Sequence, residues 1–195
     1  MPTRDPDIQN IIDFLHGLER ELIKPNVLRR HRMVWAHQAA DAAFTLEQRF
    51  PVEGTLFWPV LNGPHQINVV GGIRQDSDAH IARGGGPALD LPAWTGQRLV
   101  PMFDGIVSGF IWDDVACGNG LQYKGTVLGR TWEARYCHMT EIHVSPDVQI
   151  EGGQTILGTA GSTGNTEQPH LHIVLWIDGV RVRLEDQPAF QALLQ

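Results

Sequence analysis

Residues 169–175 read PHLHIVL, and the alternation of polar and apolar side chains in this segment predicts a β-strand. On a strand, residues two apart point to the same face and lie about 6–7 Å apart. His170 and His172 therefore share a face, where one imidazole could bind a metal ion while the other reaches a water or substrate oxygen on it. Leu171 and Ile173 point to the other face and are predicted to anchor the strand in a core. A His-x-His pair alone is a weak signal, so its context decides its meaning.

The sequence pattern from Pro51 onward is typical of a β domain. Glycine, which supplies the positive φ angles of tight turns, clusters after residue 70 between short apolar segments. Regular short strands joined by such turns favour an antiparallel, mainly β domain over residues 51–195, either a sandwich or a partly open barrel. Strands are predicted at 105–112, 121–124, 131–138 and 171–177, with turns at 118–120 and 125–130 and a longer connection at 152–164.

Residues 1–50 have a different pattern, which predicts an N-terminal α-helical hairpin appended to the β domain. Apolar residues recur at intervals of three and four over residues 8–22, which predicts a helix capped by Asp7 and ended by Pro25. A second helix is predicted from Val27 to Phe50. The hairpin is either a structural appendage or an arm that binds a protein partner.

Composition argues against two kinds of partner. The formal charge of −7 is unsuited to nucleic acid, whose phosphates are bound by clustered Lys and Arg. No apolar run approaches the roughly 20 residues that span a bilayer. The first residues also lack the apolar core of a secretory signal peptide, so the chain is expected to be cytoplasmic at synthesis. Action in the periplasm or cell wall would then need an export route that the sequence does not identify.

The two cysteines, Cys117 and Cys137, do not have the spacing of a metal site. Two free, partly buried thiols are the favoured interpretation. A disulfide would require that they lie on neighbouring strands, which the sequence alone does not establish.

Four segments, in matching order along the chain, carry a resemblance to the lysostaphin/LytM-like zinc endopeptidases of peptidoglycan. The run GGQTILGTAGSTGN (152–165), ahead of PHLH, is similar to that family's glycine-rich approach to its His-x-His strand. The resemblance covers about residues 70–177 and implies an antiparallel β fold of LytM type. The other three segments are ALDLPAWTG (88–96), VPMFDGIV (100–107) and ARYCHM (134–139).

The resemblance also implies a zinc site and assigns roles to four residues. Asp90 and His172 would bind zinc through a carboxylate oxygen and a neutral imidazole nitrogen. Catalytic zinc usually has three protein ligands and leaves one position for water, whose pKa falls toward neutrality. His138 and His170 would be the catalytic residues beside that position, accepting the proton of the water and stabilising the oxyanion.

The third ligand is where the chain departs from the family pattern, which places a histidine four residues before the aspartate. That position is Gly86, which has no side chain to bind a metal. The favoured replacement is His80, across a flexible glycine-rich insertion at 84–87 that could double back to the metal. A degenerate site and a ligand role for His65 are the alternatives. The other histidines are predicted to be surface residues; they are His16, His31, His37 and His143.

The predicted function is zinc-dependent endopeptidase activity on amide bonds of bacterial cell-wall peptides, either peptidoglycan cross-links or stem peptides. The resemblance supplies this substrate class, since nothing in the composition indicates it. Two alternatives stay open. One is a non-catalytic LytM-like binding or regulatory module that has lost its metal through the change at Gly86. The other is a zinc peptidase that acts on a peptide outside the wall.

Overall fold

The structure is a computed structural model that describes residues 6–22, 56–61 and 72–194. The chain divides into two compact units, Met1–Glu53 and Gly54–Gln195, and each is described by itself. In the parts of the chain that are described, there is no helix long and apolar enough to cross a membrane.

The first unit contains helix α1, which spans Pro6–Leu22. It begins one residue before Asp7, the expected cap, because proline's fixed φ suits the first turn of a helix. The apolar periodicity therefore predicted this helix correctly. The second predicted helix, Val27–Phe50, lies outside the described residues, so the hairpin stays a prediction.

The second unit is built from short strands, as the glycine-punctuated sequence predicted. In its described part it contains ten strands and two α-helices, followed by a 3₁₀ helix at Ala192–Leu194. The helices are α2 (Ser77–Ala82) and α3 (Pro188–Gln191). The strands are β1 (Leu89–Pro92), β2 (Arg98–Leu99), β3 (Gly105–Asp114), β4 (Gly118–Val127), β5 (Arg130–Cys137), β6 (Met139–Ile142), β7 (Gln149–Ile150), β8 (Gly158–Ala160), β9 (His170–Ile177) and β10 (Val180–Val182).

The strands form two antiparallel sheets. The larger sheet has seven strands. Six of them follow the order β1-β9-β5-β4-β3-β7, and β10 pairs with the last residues of β9, on the edge opposite β5. The sheet curls into a half barrel. The smaller sheet has the order β2-β8-β6. This architecture confirms the prediction of a mainly β fold of LytM type. The connection predicted at 152–164 differs in part, because it contains β8.

The core lies on one face of the larger sheet. Along β9, Leu171, Ile173, Leu175 and Ile177 are buried in it, as the alternation in PHLHIVL predicted. Tyr123 and Tyr136 reach across the same core with both hydroxyls satisfied: Tyr136 donates to the Val100 carbonyl, and Tyr123 receives the Met102 N–H. The opposite face of β9 is therefore free to present His170 and His172.

The turn predicted at residues 118–120 is wrong, because Gly118 and Gly120 belong to β4. The chain reverses just before them, where Oδ1 of Asp114 accepts hydrogen bonds from the N–H groups of Ala116 (2.9 Å) and Cys117 (2.7 Å). Glycine is needed at 120 for close approach of two strands, since a Cβ there would lie 2.3 Å from the Tyr136 carbonyl oxygen.

The prediction of two free thiols is also wrong, because Cys117 and Cys137 form a disulfide. The antiparallel register of β4 and β5, with Leu121 opposite Tyr136, ends where the N–H of His138 donates to the Cys117 carbonyl (2.8 Å), and this bond brings Cys117 beside Cys137. Their Cα atoms are 4.9 Å apart, within the range that a disulfide spans. This register depends on the position of the preceding turn, which the sequence pattern had misplaced.

Removing residues 1–53 is expected to leave a folded β domain, because the described core begins at Leu56. Removing residues 1–62 should abolish folding, since it also takes away Leu56, Trp58 and Val60, all at most 3% exposed. Each such side chain contributes about 1.5–3 kcal/mol by burial, against a total stability of about 5–15 kcal/mol. Thermal unfolding followed by circular dichroism checks both variants. An unfolded shorter truncation would show that the first unit is part of the folded domain.

Candidate metal centre

Two of the predicted site residues are brought together by strand pairing. Asp90 on β1 lies directly opposite His172 on β9, and Nδ1 of His172 is 2.8 Å from Oδ1 of Asp90. Cys137 is the opposite neighbour of His172 on β5. Backbone hydrogen bonds join β9 to β1 on one side and to β5 on the other, and they hold Asp90 level with His172. The position of the Asp90 carboxylate therefore does not depend on a loop.

His80 reaches the same place from helix α2. Its Nε2 lies 3.2 Å from Oδ1 of Asp90, and its ring centroid is 4.9 Å from that of His172. His80 was predicted to be brought back to the metal by a flexible insertion at 84–87; it lies near the end of a short helix that precedes this segment. Asp76 caps this helix by accepting a hydrogen bond from the Ala79 N–H.

Helix α2 is fixed at its first residue by a distant part of the chain. The backbone N–H of Ser77 donates to Oε1 of Glu185 (2.7 Å), and its hydroxyl donates to Oε2 of the same carboxylate (3.0 Å). Ser77 is fully buried. The position of His80 is thus set by a contact near residue 185, outside every motif that the sequence offered.

The donor set fits a zinc ion. One nitrogen or oxygen atom from each of His80, Asp90 and His172 lies within 4.8 Å of the others. Zinc bonds of about 2.0–2.2 Å in tetrahedral geometry place ligand atoms roughly 3.3 Å apart, close to the two distances from Oδ1 of Asp90. Nε2 of His80 is buried and has no hydrogen-bond partner, because its 3.2 Å approach to Asp90 lacks hydrogen-bond geometry. Such an orphaned nitrogen facing a carboxylate is expected where a cation binds between them.

The charge states also suit a metal. Burial lowers the pKa of His80, so its imidazole is neutral at pH 7 and its lone pair is available. Burial acts to raise the pKa of Asp90, but hydrogen bonds from His170 and His172 outweigh it and lower that pKa. Two imidazoles and one carboxylate form a common catalytic zinc donor set.

Gly86, the position at which the family pattern has a histidine, is covered by another side chain. A Cβ added at Gly86 would lie 2.8 Å from Cζ of Arg181, whose Nε donates to the Pro87 carbonyl (2.8 Å). A histidine at this position would have to displace that guanidinium. Among the described residues, His80 supplies the nitrogen that Gly86 does not.

His138 and His170 lie beside this donor set with their rings 4.6 Å apart. Nδ1 of His138 is 2.7 Å from the Thr163 carbonyl, and Nδ1 of His170 is 2.9 Å from the Gln168 carbonyl. Because a carbonyl can only accept, each Nδ1 carries the hydrogen, which in a neutral imidazole leaves Nε2 as the acceptor. Nε2 of His170 is 3.4 Å from Oδ2 of Asp90. The two carbonyls were not predicted, since a backbone acceptor has no sequence signal.

His138 is held under unusual constraint. Its φ of 64° lies in the left-handed region that non-glycine residues seldom occupy, and its N–H donates to the Cys117 carbonyl at 2.8 Å. Burial lowers its pKa to about 4, with further lowering by the charges of His170 and His172. The imidazole is therefore neutral at pH 7 and able to accept a proton.

A second set of three histidines also meets the geometry of a metal site. It consists of His138, His170 and His172, again with one atom of each within 4.8 Å. This set shares His172 with the first and lacks a carboxylate. Separate substitutions of His80 and His138 distinguish which of the two sets binds the ion.

The remaining histidines do not join the site in the part of the chain that is described. His143 is exposed and pairs with Glu141 at 3.0 Å, as predicted for a surface residue. His16 is half-buried on α1. His31, His37 and His65 lie outside the described residues, so the alternative ligand His65 stays untested.

Breaking the disulfide is expected to lower the free energy of unfolding by about 2–4 kcal/mol and to reduce hydrolysis as well. Cys137 directly precedes His138, and the carbonyl of Cys117 holds the His138 N–H, so the bond braces the backbone of a site residue. Denaturant unfolding and turnover of a Cys117→Ser, Cys137→Ser variant check this, with the oxidised parent as control. Unchanged stability and turnover would contradict it.

The sequence matches peptidase family M23 over residues 85–184, more than half of the chain, and the protein belongs to this family. The matched region contains Asp90, His138, His170 and His172 but begins after His80. The family assignment therefore does not extend to the helix that supplies the third candidate ligand.

Solved structures agree with this fold. A zinc-containing peptidase from Vibrio cholerae is 20% identical, with a TM-score of 0.53, over 67% of this chain and 39% of its own. A protein from Pseudomonas aeruginosa assigned to peptidase M23 is 21% identical, with a TM-score of 0.51, over 95% of this chain and 62% of its own. Identities this low indicate shared fold alone. This chain spans less than two thirds of the length of either protein.

Proposed function

We propose that the protein is a zinc endopeptidase that hydrolyses amide bonds in bacterial cell-wall peptides. The observation that carries the proposal is the convergence of Nε2 of His80, Oδ1 of Asp90 and Nδ1 of His172 beside His138 and His170. His80, Asp90 and His172 would hold the ion. Bound there, zinc supplies Lewis acidity, which polarises a carbonyl and lowers the pKa of a coordinated water.

His138 and His170 would carry the proton transfers. Nε2 of one imidazole accepts a proton from the attacking water as the water oxygen adds to the carbonyl carbon of the amide. The resulting imidazolium donates a hydrogen bond to the oxyanion through its Nε2–H. When the C–N bond breaks, the imidazolium returns the proton to the leaving nitrogen. The carbonyls of Thr163 and Gln168 keep both rings in the required tautomer throughout.

Membership of family M23 and the resemblance to peptidoglycan endopeptidases support the wall substrate. A zinc peptidase that acts on a peptide outside the wall stays the alternative function. The disulfide favours action outside the cytoplasm, because disulfides persist mainly in oxidising compartments. A protein partner for the first unit stays a prediction without structural support.

Protein purified without added zinc is expected to carry about one zinc ion per chain and to release amino groups from purified peptidoglycan. A chelator should abolish this release, and added zinc should restore it. Digestion of unrelated peptides in parallel separates the two substrate classes. A chain that stays metal-free on zinc titration would contradict the enzyme and favour the non-catalytic module.

Zinc affinity is expected to hold at neutral pH and to fall in the acid range. Ligands bind only when deprotonated, so protons compete with the metal. Because burial lowers the pKa of His80, this competition at His80 begins below the usual histidine range. Metal titrations from pH 5 to 8 check the direction.

A further inference from the structure

The face of the larger sheet that carries the metal centre continues beyond it. Along β9, the residues that point away from the core are His170, His172, Val174 and Trp176. Each step of two residues advances about 6–7 Å along a strand. Trp176 therefore lies about 13 Å from His172 along the strand, on the same face.

Arg135 on β5 sits directly opposite Val174 on this face. Its guanidinium carbon lies 5.0 Å from the centre of the Trp176 ring, a cation–π contact. Nε of Arg135 is buried and has no hydrogen-bond partner. No ion pair to Arg135 is formed within the described ranges, so its charge is stacked on an indole without a counter-ion.

The carboxylates near Arg135 are engaged elsewhere. Glu133, the next residue of β5 on this face, accepts a hydrogen bond from the side-chain amide of Gln122 at 2.9 Å. Asp114 accepts two backbone hydrogen bonds in its turn. Neither carboxylate lies within 4.0 Å of the guanidinium.

A second guanidinium lies close by. Arg181 on β10 is directly opposite Trp176, and its Nε is held by the Pro87 carbonyl. Burial, followed by the charge of Arg135, lowers the pKa of Arg181, so the two cations repel each other. Glu133 lies on this face opposite Trp176, but neither guanidinium forms an ion pair with it in the part of the chain that is described.

We propose that Arg135, Arg181 and Trp176 form a subsite for a carboxylate of the substrate peptide. The proposal rests on the proposed function, that a peptide is cleaved at the adjacent metal centre. A guanidinium fork binds a carboxylate with two parallel hydrogen bonds, and stacking on an indole orients that fork. The subsite lies about 7–13 Å from His172 along the strand, and an extended peptide advances about 3.3 Å per residue. The carboxylate therefore belongs about two to four residues from the cleaved bond.

The subsite would make the metal centre prefer peptides that carry a free carboxylate. A stem peptide with a free carboxylate at this spacing would satisfy both cations, whereas a neutral glycine bridge would leave them unpaired. The attraction is local, because the chain as a whole has a formal charge of −7. Selectivity therefore comes from these two side chains and not from the overall field of the protein.

The experiment is a titration of the zinc-depleted full-length protein, in which a carboxylate cannot bind at the metal. The probes are N-acetyl-Ala-Ala with a free carboxylate and the same dipeptide as its carboxamide, and the signal is the indole N–H resonance of Trp176, assigned with Trp176→Phe. The carboxylate peptide is expected to bind at least tenfold more tightly than the amide. Arg135→Gln and Arg181→Gln should each remove most of that difference, and Arg135→Lys should remove part of it.

Arg130→Gln is the matched control, because it removes an exposed arginine that pairs with Asp178 at a hairpin end of the sheet. It should leave both affinities unchanged. Equal binding of the two peptides to the parent protein, or an equal loss in the control, would overturn the subsite. Because the titration uses no zinc and no hydrolysis, it gives an answer even if the peptidase assay fails. Where hydrolysis is measured, Arg135→Gln should raise KM for carboxylate peptides about tenfold and leave kcat unchanged.

Discussion

Replacing His80 with alanine is expected to lower zinc affinity more than about 100-fold and to abolish hydrolysis, because loss of even an outer-shell partner of a metal ligand typically costs 10–100-fold. Without His80, the ion would keep Asp90 and His172 as protein ligands, and water would fill the remaining positions. Nε2 of His80 has no other partner within the described residues, so its removal should cost little folding stability. Zinc titration against a competing chelator measures the effect.

His143→Ala is the matched control, since His143 is exposed and paired only with Glu141. It should bind zinc as the parent does, and His65→Ala is expected to do the same. A His80→Ala protein that retains both its zinc and its activity would show that the ion is bound by the set of His138, His170 and His172. A His80→Ala protein that retains its zinc but loses its activity would show that His80 is a catalytic residue and not a ligand.

Replacing His138 or His170 with alanine is expected to lower kcat by about 10²–10⁴ while zinc content is unchanged. Both imidazoles lie beside the donor set and hold their tautomer through backbone carbonyls, and burial lowers the pKa of His138. In the proposed arrangement they act on the proton and the oxyanion, so the affinity for the metal does not depend on them.

Metal content and turnover have to be measured on the same preparations of these variants. Loss of zinc from either one would contradict the division between ligands and catalytic residues. His138→Gln is a useful companion, because the amide can keep a hydrogen bond to the Thr163 carbonyl but cannot serve as a base. It should show the same drop in kcat as His138→Ala if proton transfer is the role of this residue.

The part of the site that lies on strands could be predicted from the sequence. Period-two alternation fixed the face shared by His170 and His172, and the aspartate segment supplied Asp90. Strand pairing then places Asp90 opposite His172. These features are local or follow from short motifs, so the residues that encode them are adjacent in the chain.

The parts that could not be predicted depend on long-range contacts. Helix α2 is short, and its position depends on the pairing of Ser77 with Glu185, 108 residues away. Its cap, Asp76, is a local signal that could have indicated a helix in place of a flexible loop. The disulfide escaped prediction because one misplaced turn shifted the expected start of β4. The guanidinium of Arg181 fills the space beside Gly86 that a histidine side chain would need, and no sequence pattern near Gly86 points to this contact.

The contact between Ser77 and Glu185 constrains when the protein can first become active during its synthesis. A ribosome makes His80 and Asp90 early, His172 only much later, and the carboxylate that fixes the helix of His80 later still. A nascent chain therefore cannot assemble the donor set until residue 185 has left the exit tunnel. In the proposed peptidase, such an order would keep hydrolytic activity out of partly synthesised chains, and zinc would be acquired as one of the last events of folding.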